Sequence, residues 1–137
     1  MFFKKNKDED KNDDLAKVTA LLIHAAKIDE KFLKEEEEII KSTLLKIGAE
    51  NDDLENIIKK GLKIEENSNQ ILDFTIEVKN MDEKNKIKII EALWQIIYSD
   101  KKADMYETNL MRRLAGLLYI DDIIMGKIKD KIKRENS

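Results

Sequence analysis

The sequence predicts an all-α fold of about seven helices, with one domain over residues 15–134, and three observations carry this expectation. Proline is absent and only four glycines occur in 137 residues, so few positions break a helix or demand a turn. Apolar residues recur at three-and-four spacing along most of the chain rather than alternating. A segment near the N-terminus, 18–48, also recurs as 89–119, which predicts two helical hairpins related by an approximate twofold axis and joined by middle helices.

The elements follow in order. Residues 1–14 are charge-rich after Phe2 and Phe3 and lack a helical apolar period, which predicts a frayed polar tail. Leu15, Val18, Leu22, Ala25 and Ala26 form one face of a first helix over 15–28. Ile39, Ile40, Leu44 and Ile47 are the buried stripe of a second, with Glu35, Glu36, Glu37 and Glu38 in its early turns, where the helix dipole favours acids, and Gly48 to end it. Leu54, Ile57, Ile58 and Leu62 suggest a third helix, and Ile71, Phe74, Thr75 and Val78 a fourth; both would connect the hairpins. From Asp82 a long helix directs Ile87, Ile90, Leu93, Trp94 and Ile97 inward. Leu110, Leu114, Leu117 and Leu118 mark a sixth helix, and a seventh runs from Asp121 with Ile124, Ile128 and Ile132 inward. Gly116 and Gly126, inside the last two, suggest close helix approach.

Composition narrows the function. With 42% hydrophobic residues the chain can build a core, yet no run approaches the roughly 18 apolar residues of a spanning helix, and the first 14 residues lack a signal-peptide core. A cytoplasmic protein is expected. Zero cysteines remove disulfides, thiolate metal sites and a cysteine nucleophile. A net charge of -3 from 26 basic and 29 acidic side chains provides no global field toward nucleic acid. Lys127, Lys129, Lys131, Lys133 and Arg134 make the last helix basic. That ordering complements the helix dipole; with Arg112 and Arg113 it is also a candidate for peripheral contact with anionic lipid or phosphate.

The repeat carries chemistry as well as apolar period. Sliding the chain along itself so that Val18 falls on Ile89 also sets Leu22 on Leu93, Asp29 on Asp100, Glu36 on Glu107, Ile39 on Leu110, Ile40 on Met111 and Ile47 on Leu118. Any two amphipathic helices can match their apolar positions; matching an Asp and a Glu seven apart in both connecting turns is a stronger sign of duplication. The duplicated hairpins are 18–48 and 89–119. Each turn resembles the second half of an EF-hand loop, but Ala25, Lys27, Ile96 and Tyr98 stand where its first carboxylates belong, and Glu30 and Lys101 where its glycine belongs. A self-contained EF-hand is excluded. Two uses of the acids remain. Asp29 and Asp100 can accept turn amides, while Asp104 and Glu107 form a capping box for which the first copy offers Leu33 at the cap. Alternatively, carboxylates of both turns converge on one divalent cation, with Asp104 adding a further acid to the second turn.

His24 lies on the first helix, where a satisfied, half-buried side chain is the expected role. A di-iron carboxylate site wants a Glu three residues before it, and that residue is Leu21. No nucleophile elbow or Gly-rich phosphate loop occurs.

The segments LLIHAAKIDEKFLKEEEEII and EALWQIIYSDKKADMYETNLMRRLAGLLYI resemble the paired A-x-A-D-G-x-x-x-x-x-E hairpins, and the LW-x-x-x-x-x-D approach to the second, of the TerB-like family of bacterial tellurite-resistance and stress-response proteins. That family is related to the N-terminal domain of the DjlA co-chaperone, and the resemblance covers nearly all of 15–131. It implies about seven helices with pseudo-twofold hairpins and an acidic cluster for metal at Asp29, Glu36, Asp100 and Glu107. Glu30 and Lys101 depart from the family's glycine, and Leu33 from an acid common there. The expected function is a non-enzymatic stress-response adaptor that docks other proteins and holds calcium, magnesium or manganese in its paired turns. The alternative is a metal-independent interaction domain like that of the co-chaperone, its acids purely structural.

Overall fold

The computed structural model describes residues 7–27, 34–67, 72–99 and 105–135. Among these residues the chain forms seven α helices and no strand: α1 (Lys7–Ala26), α2 (Lys34–Lys46), α3 (Leu54–Glu66), α4 (Leu72–Lys79), α5 (Glu83–Ser99), α6 (Met105–Leu117) and α7 (Asp122–Glu135). A single 3-10 turn, Asn51–Asp53, leads into α3. None of the described helices is long and apolar enough to cross a membrane.

Two helices organise the rest. From Leu15 to Ala26, α1 is buried except at Lys17 and His24, and α2, α3, α4 and α5 all pack on it. α5 carries a second buried run through Ile89, Ile90, Ala92, Leu93, Trp94, Ile96 and Ile97, and packs against α2 and α7. A helix apolar almost all round must lie inside, so both form the centre of one continuous core. Their buried threonine partner, Thr19, satisfies its hydroxyl locally by donating to the Leu15 carbonyl at 2.8 Å.

The helix starts are chemically specified. Asp82 caps α5 by accepting the Asn85 amide at 2.9 Å, and Asp121 caps α7 by accepting the Ile123 amide at 2.7 Å. The predicted tail is corrected over 7–14, which belongs to α1. Residues 15–26 nucleate that helix, each added residue contributes one further backbone bond, and Lys60 Nζ holds the extension through Asp13 Oδ1 at 3.3 Å. Residues 1–6 lie outside the described residues.

The duplication is visible as backbone geometry and is larger than two hairpins. In the register that sets Val18 on Ile89, α6 begins and ends where α2 does: Met105 falls on Lys34 and Leu117 on Lys46. In the same register Asp122, which begins α7, falls on Asn51, which begins the 3-10 turn before α3. Both α2 and α6 end in a Schellman motif at equivalent positions. In the first, Ala49 N–H donates to the Leu44 carbonyl at 2.9 Å and Gly48 N–H to Leu45 at 3.3 Å, with Gly48 at φ +115°. In the second, Ile120 N–H donates to Ala115 at 3.0 Å and Tyr119 N–H to Gly116 at 3.4 Å, with Tyr119 at φ 58°. Glycine takes this backbone freely; Tyr119 bears a cost of roughly 1–2 kcal/mol. The repeating unit is therefore α1–α2–α3 followed by α5–α6–α7. In this register α3 with its 3-10 turn corresponds to α7, and α4 lies between the two three-helix units.

The glycine expectation is also corrected. A Cβ built on Gly116 or Gly126 meets nothing within 4 Å, so neither marks a close approach. That role belongs to Gly61, where α3 crosses α1: a Cβ there would lie 2.6 and 2.8 Å from Thr19 side-chain carbons and 3.1 Å from the Ala16 carbonyl oxygen.

Candidate metal centre

The acidic turns were expected to bring Asp29, Glu36, Asp100, Asp104 and Glu107 together. Asp29, Asp100 and Asp104 lie outside the described residues, and Glu107 is described in its backbone alone, so Glu36 is the member whose surroundings are defined. It is the third residue of α2 and only 4% exposed, while Glu35 and Glu38 beside it are exposed and Glu37 is half-buried. The cause is register. Glu36 shares a helical face with the buried Ile40, Thr43 and Leu44, so the core-facing stripe of α2 begins with a carboxylate.

Glu107 holds the equivalent register. It is the third residue of α6 and stands in line with Met111, Leu114 and Ala115, all buried. The same face of both helices thus opens on a glutamate next to an acidic turn. Burying a carboxylate requires hydrogen bonds or a positive partner, and Glu36 is engaged by a further interaction rather than left bare. Two arrangements satisfy it chemically. As third residue of a helix it can reach back to the cap amide, and as an oxygen donor beside further aspartates it suits a hard divalent cation. Among the described residues no three histidine or carboxylate side chains gather into a metal-holding group, so a complete shell must draw on the turns themselves.

His24 is half-buried, as expected, but among the described residues no hydrogen bond satisfies it. Its ring centroid is 6.0 Å from that of Phe74, and Nδ1 lies 3.6 Å from Glu65 Oε1, beyond hydrogen-bond reach. Glu65 instead accepts from Lys27 Nζ at 3.1 Å, tying the end of α1 to the end of α3. Leu21, where a di-iron motif would place its glutamate, is fully buried.

Sequence reasoning missed two cations that finish the duplicated helices. Lys86, 9% exposed, donates to the Leu118 carbonyl at 3.2 Å beyond the end of α6, and Lys88 donates to the Lys46 carbonyl at 3.2 Å at the end of α2. Both extend from α5, and each places positive charge where the helix dipole is negative. The signal was present as two lysines interrupting an apolar helix, Lys86-Ile87-Lys88-Ile89.

Neither the curated proteins nor the solved structures yield a match to this chain. A family model does: that of tellurite resistance protein TerB, matched over residues 15–130. That span contains both three-helix units almost whole, both Schellman turns, and the glutamates that open α2 and α6. The chain belongs to the TerB family.

Proposed function

We propose that this TerB-family protein is a non-enzymatic binding module of the cytoplasmic stress response, in which the two acidic turns share one divalent cation and the helical surface docks another protein. The observation that carries the cation is Glu36: a carboxylate 4% exposed on the core-facing stripe, beside an acidic turn, with Glu107 in the equivalent register of the second copy. Asp29, Glu36, Asp100, Asp104 and Glu107 are the proposed ligands, supplying hard oxygens of the kind calcium, magnesium and manganese prefer. The cation's contribution is structural, drawing two negatively charged turns together that would otherwise repel.

A second reading follows from the same residue. Glu36 stands at the helical position from which a carboxylate caps its own helix, so the turns can serve a metal-independent interaction domain resembling the co-chaperone's. Thermal melting separates the two. Stripped of metal with a chelator and then supplied with calcium, magnesium or manganese about a hundredfold above its dissociation constant, the protein should gain about 2.7 kcal/mol, a rise of several degrees in Tm. An unchanged melt with all three ions would leave the capping role and remove the cation.

A further inference from the structure

The two copies of the repeat differ at one place in a way that opens a cleft. In the first, Lys41 on α2 pairs with Glu37 Oε1 at 3.7 Å and with Glu55 Oε1 of α3 at 3.6 Å, while Ile58 is 5% exposed behind them. These three side chains leave one net negative charge at the surface, and the apolar floor there is filled by Ile58. At the equivalent positions of the second copy Arg112 takes the place of Lys41, but Thr108 replaces Glu37, Gly126 replaces Glu55, and Lys129 replaces Ile58. Both carboxylate partners are gone, the side chain that crossed from one helix to the other is reduced to hydrogen, and a second cation is added.

The result is a cleft of about 200 Å³ between α6 and α7, floored by Trp94 of α5 and walled by Met111, Ala115, Met125 and Gly126. Its charged residues are Arg112, Lys129 and, at the first residue of α7, Asp122, a balance of one positive charge. Among the described residues neither Arg112 nor Lys129 enters an ion pair. Lys129 Nζ instead lies 5.3 Å from the Trp94 ring centroid, a weak hold on a flexible chain. Trp94 is 2% exposed, and its indole N–H is the buried side-chain polar group for which the described residues supply no acceptor. Such orphans are uncommon and costly. Tyr98, stacked on Trp94 at 5.7 Å, adds no charge, because burial and then the Asp130 carboxylate push its phenol above the ordinary 10.0.

We propose that this cleft binds a small carboxylate with an apolar body, its anionic end between Arg112 and Lys129 and its hydrocarbon against Met111, Met125 and Trp94. Size and charge set the class. A cavity of about 150 Å³ holds a benzene, so about six carbons fit here. A single excess positive charge suits a monoanion better than phosphate, and thioether walls suit hydrocarbon better than sugar.

Trp94 is the chain's one tryptophan, so the indole N–H resonance reports this site alone in a proton–nitrogen correlation spectrum of the full-length protein. Hexanoate should shift that resonance saturably with a dissociation constant on the order of 1 mM, while hexylammonium and inorganic phosphate leave it unmoved. Gly126→Glu restores the first copy's carboxylate opposite Arg112 and should weaken hexanoate at least tenfold, as should Lys129→Ile, whereas Gly126→Ala should retain it. Because a Gly126 Cβ meets nothing within 4 Å, the Gly126 variants fold, which their melting curves verify. No saturable shift at about ten times that concentration, equal binding of hexylammonium or phosphate, or undiminished binding by Gly126→Glu would each overturn the assignment.

Discussion

Gly61→Ala destabilises the protein by about 1 kcal/mol, even though alanine is the better helix former by about 1 kcal/mol. The added methyl would sit 2.6 and 2.8 Å from carbons of Thr19, which is fully buried and anchored through its hydroxyl to Leu15, and 3.1 Å from the Ala16 carbonyl oxygen. Neither neighbour is the free end of a flexible chain. α3 must move away from α1, and overpacking of this kind costs about 1–3 kcal/mol or more before the propensity gain is subtracted. Gly116→Ala has the opposite sign. Its Cβ meets nothing, the position is exposed, and the gain is about 0.5–1 kcal/mol. Chemical denaturation of both variants checks this: a close approach at Gly61 requires one midpoint to fall and the other to rise.

Phe74→Ala should cost about 3–5 kcal/mol, the largest single loss expected. Phe74 is 1% exposed and, with Val78, anchors α4 against α1, α5 and α6. A helix of eight residues cannot hold itself together in water, so α4 exists only because its apolar face is buried. Ile76, on the same helix but 59% exposed, provides the control: Ile76→Ala should change stability by about 0.5 kcal/mol or less. Urea unfolding of the pair measures both, and comparable losses would mean that α4 is not the buried connector described here.

Where sequence and structure part company, the reasons are physical. α5 was legible because its buried stripe is long, apolar and opened by a capping aspartate, Asp82. The first turns of α1 were not, because 7–14 carries no apolar period and joins the helix by propagation from 15–26. The three-helix repeat was legible as two hairpins only. Similarity between α3 and α7 rests on apolar positions such as Ile57 and Ile128, which any amphipathic pair would share; the paired Schellman turns, a backbone feature, bring them into the same unit. The spacing that suggests α3 does not mark Gly61 as a contact, because a close approach belongs to two helices and the sequence displays one at a time.

The acids show the same division. Glu35, Glu36, Glu37 and Glu38 look alike as a run, and the helix dipole explains all four. Helical register separates Glu36 and Glu37, which stand three or four residues before Ile40, from the exposed Glu35 and Glu38, and the fold then buries Glu36. The face was readable in advance; which of the two is buried was not. The cleft beside Trp94 was not, because its meaning comes from comparing Lys41 and Glu55 with Arg112 and Gly126 once both copies are folded.

One cation shared between two turns makes a sharper demand than metal binding in general, and calorimetric titration of calcium, magnesium and manganese into the metal-free protein tests it. The expected result is one ion per chain, with Asp29→Asn and Asp100→Asn each abolishing the whole binding heat although they lie in different copies of the repeat. Two ions per chain, each lost only with its own turn, or no binding heat with any of the three metals, would contradict it.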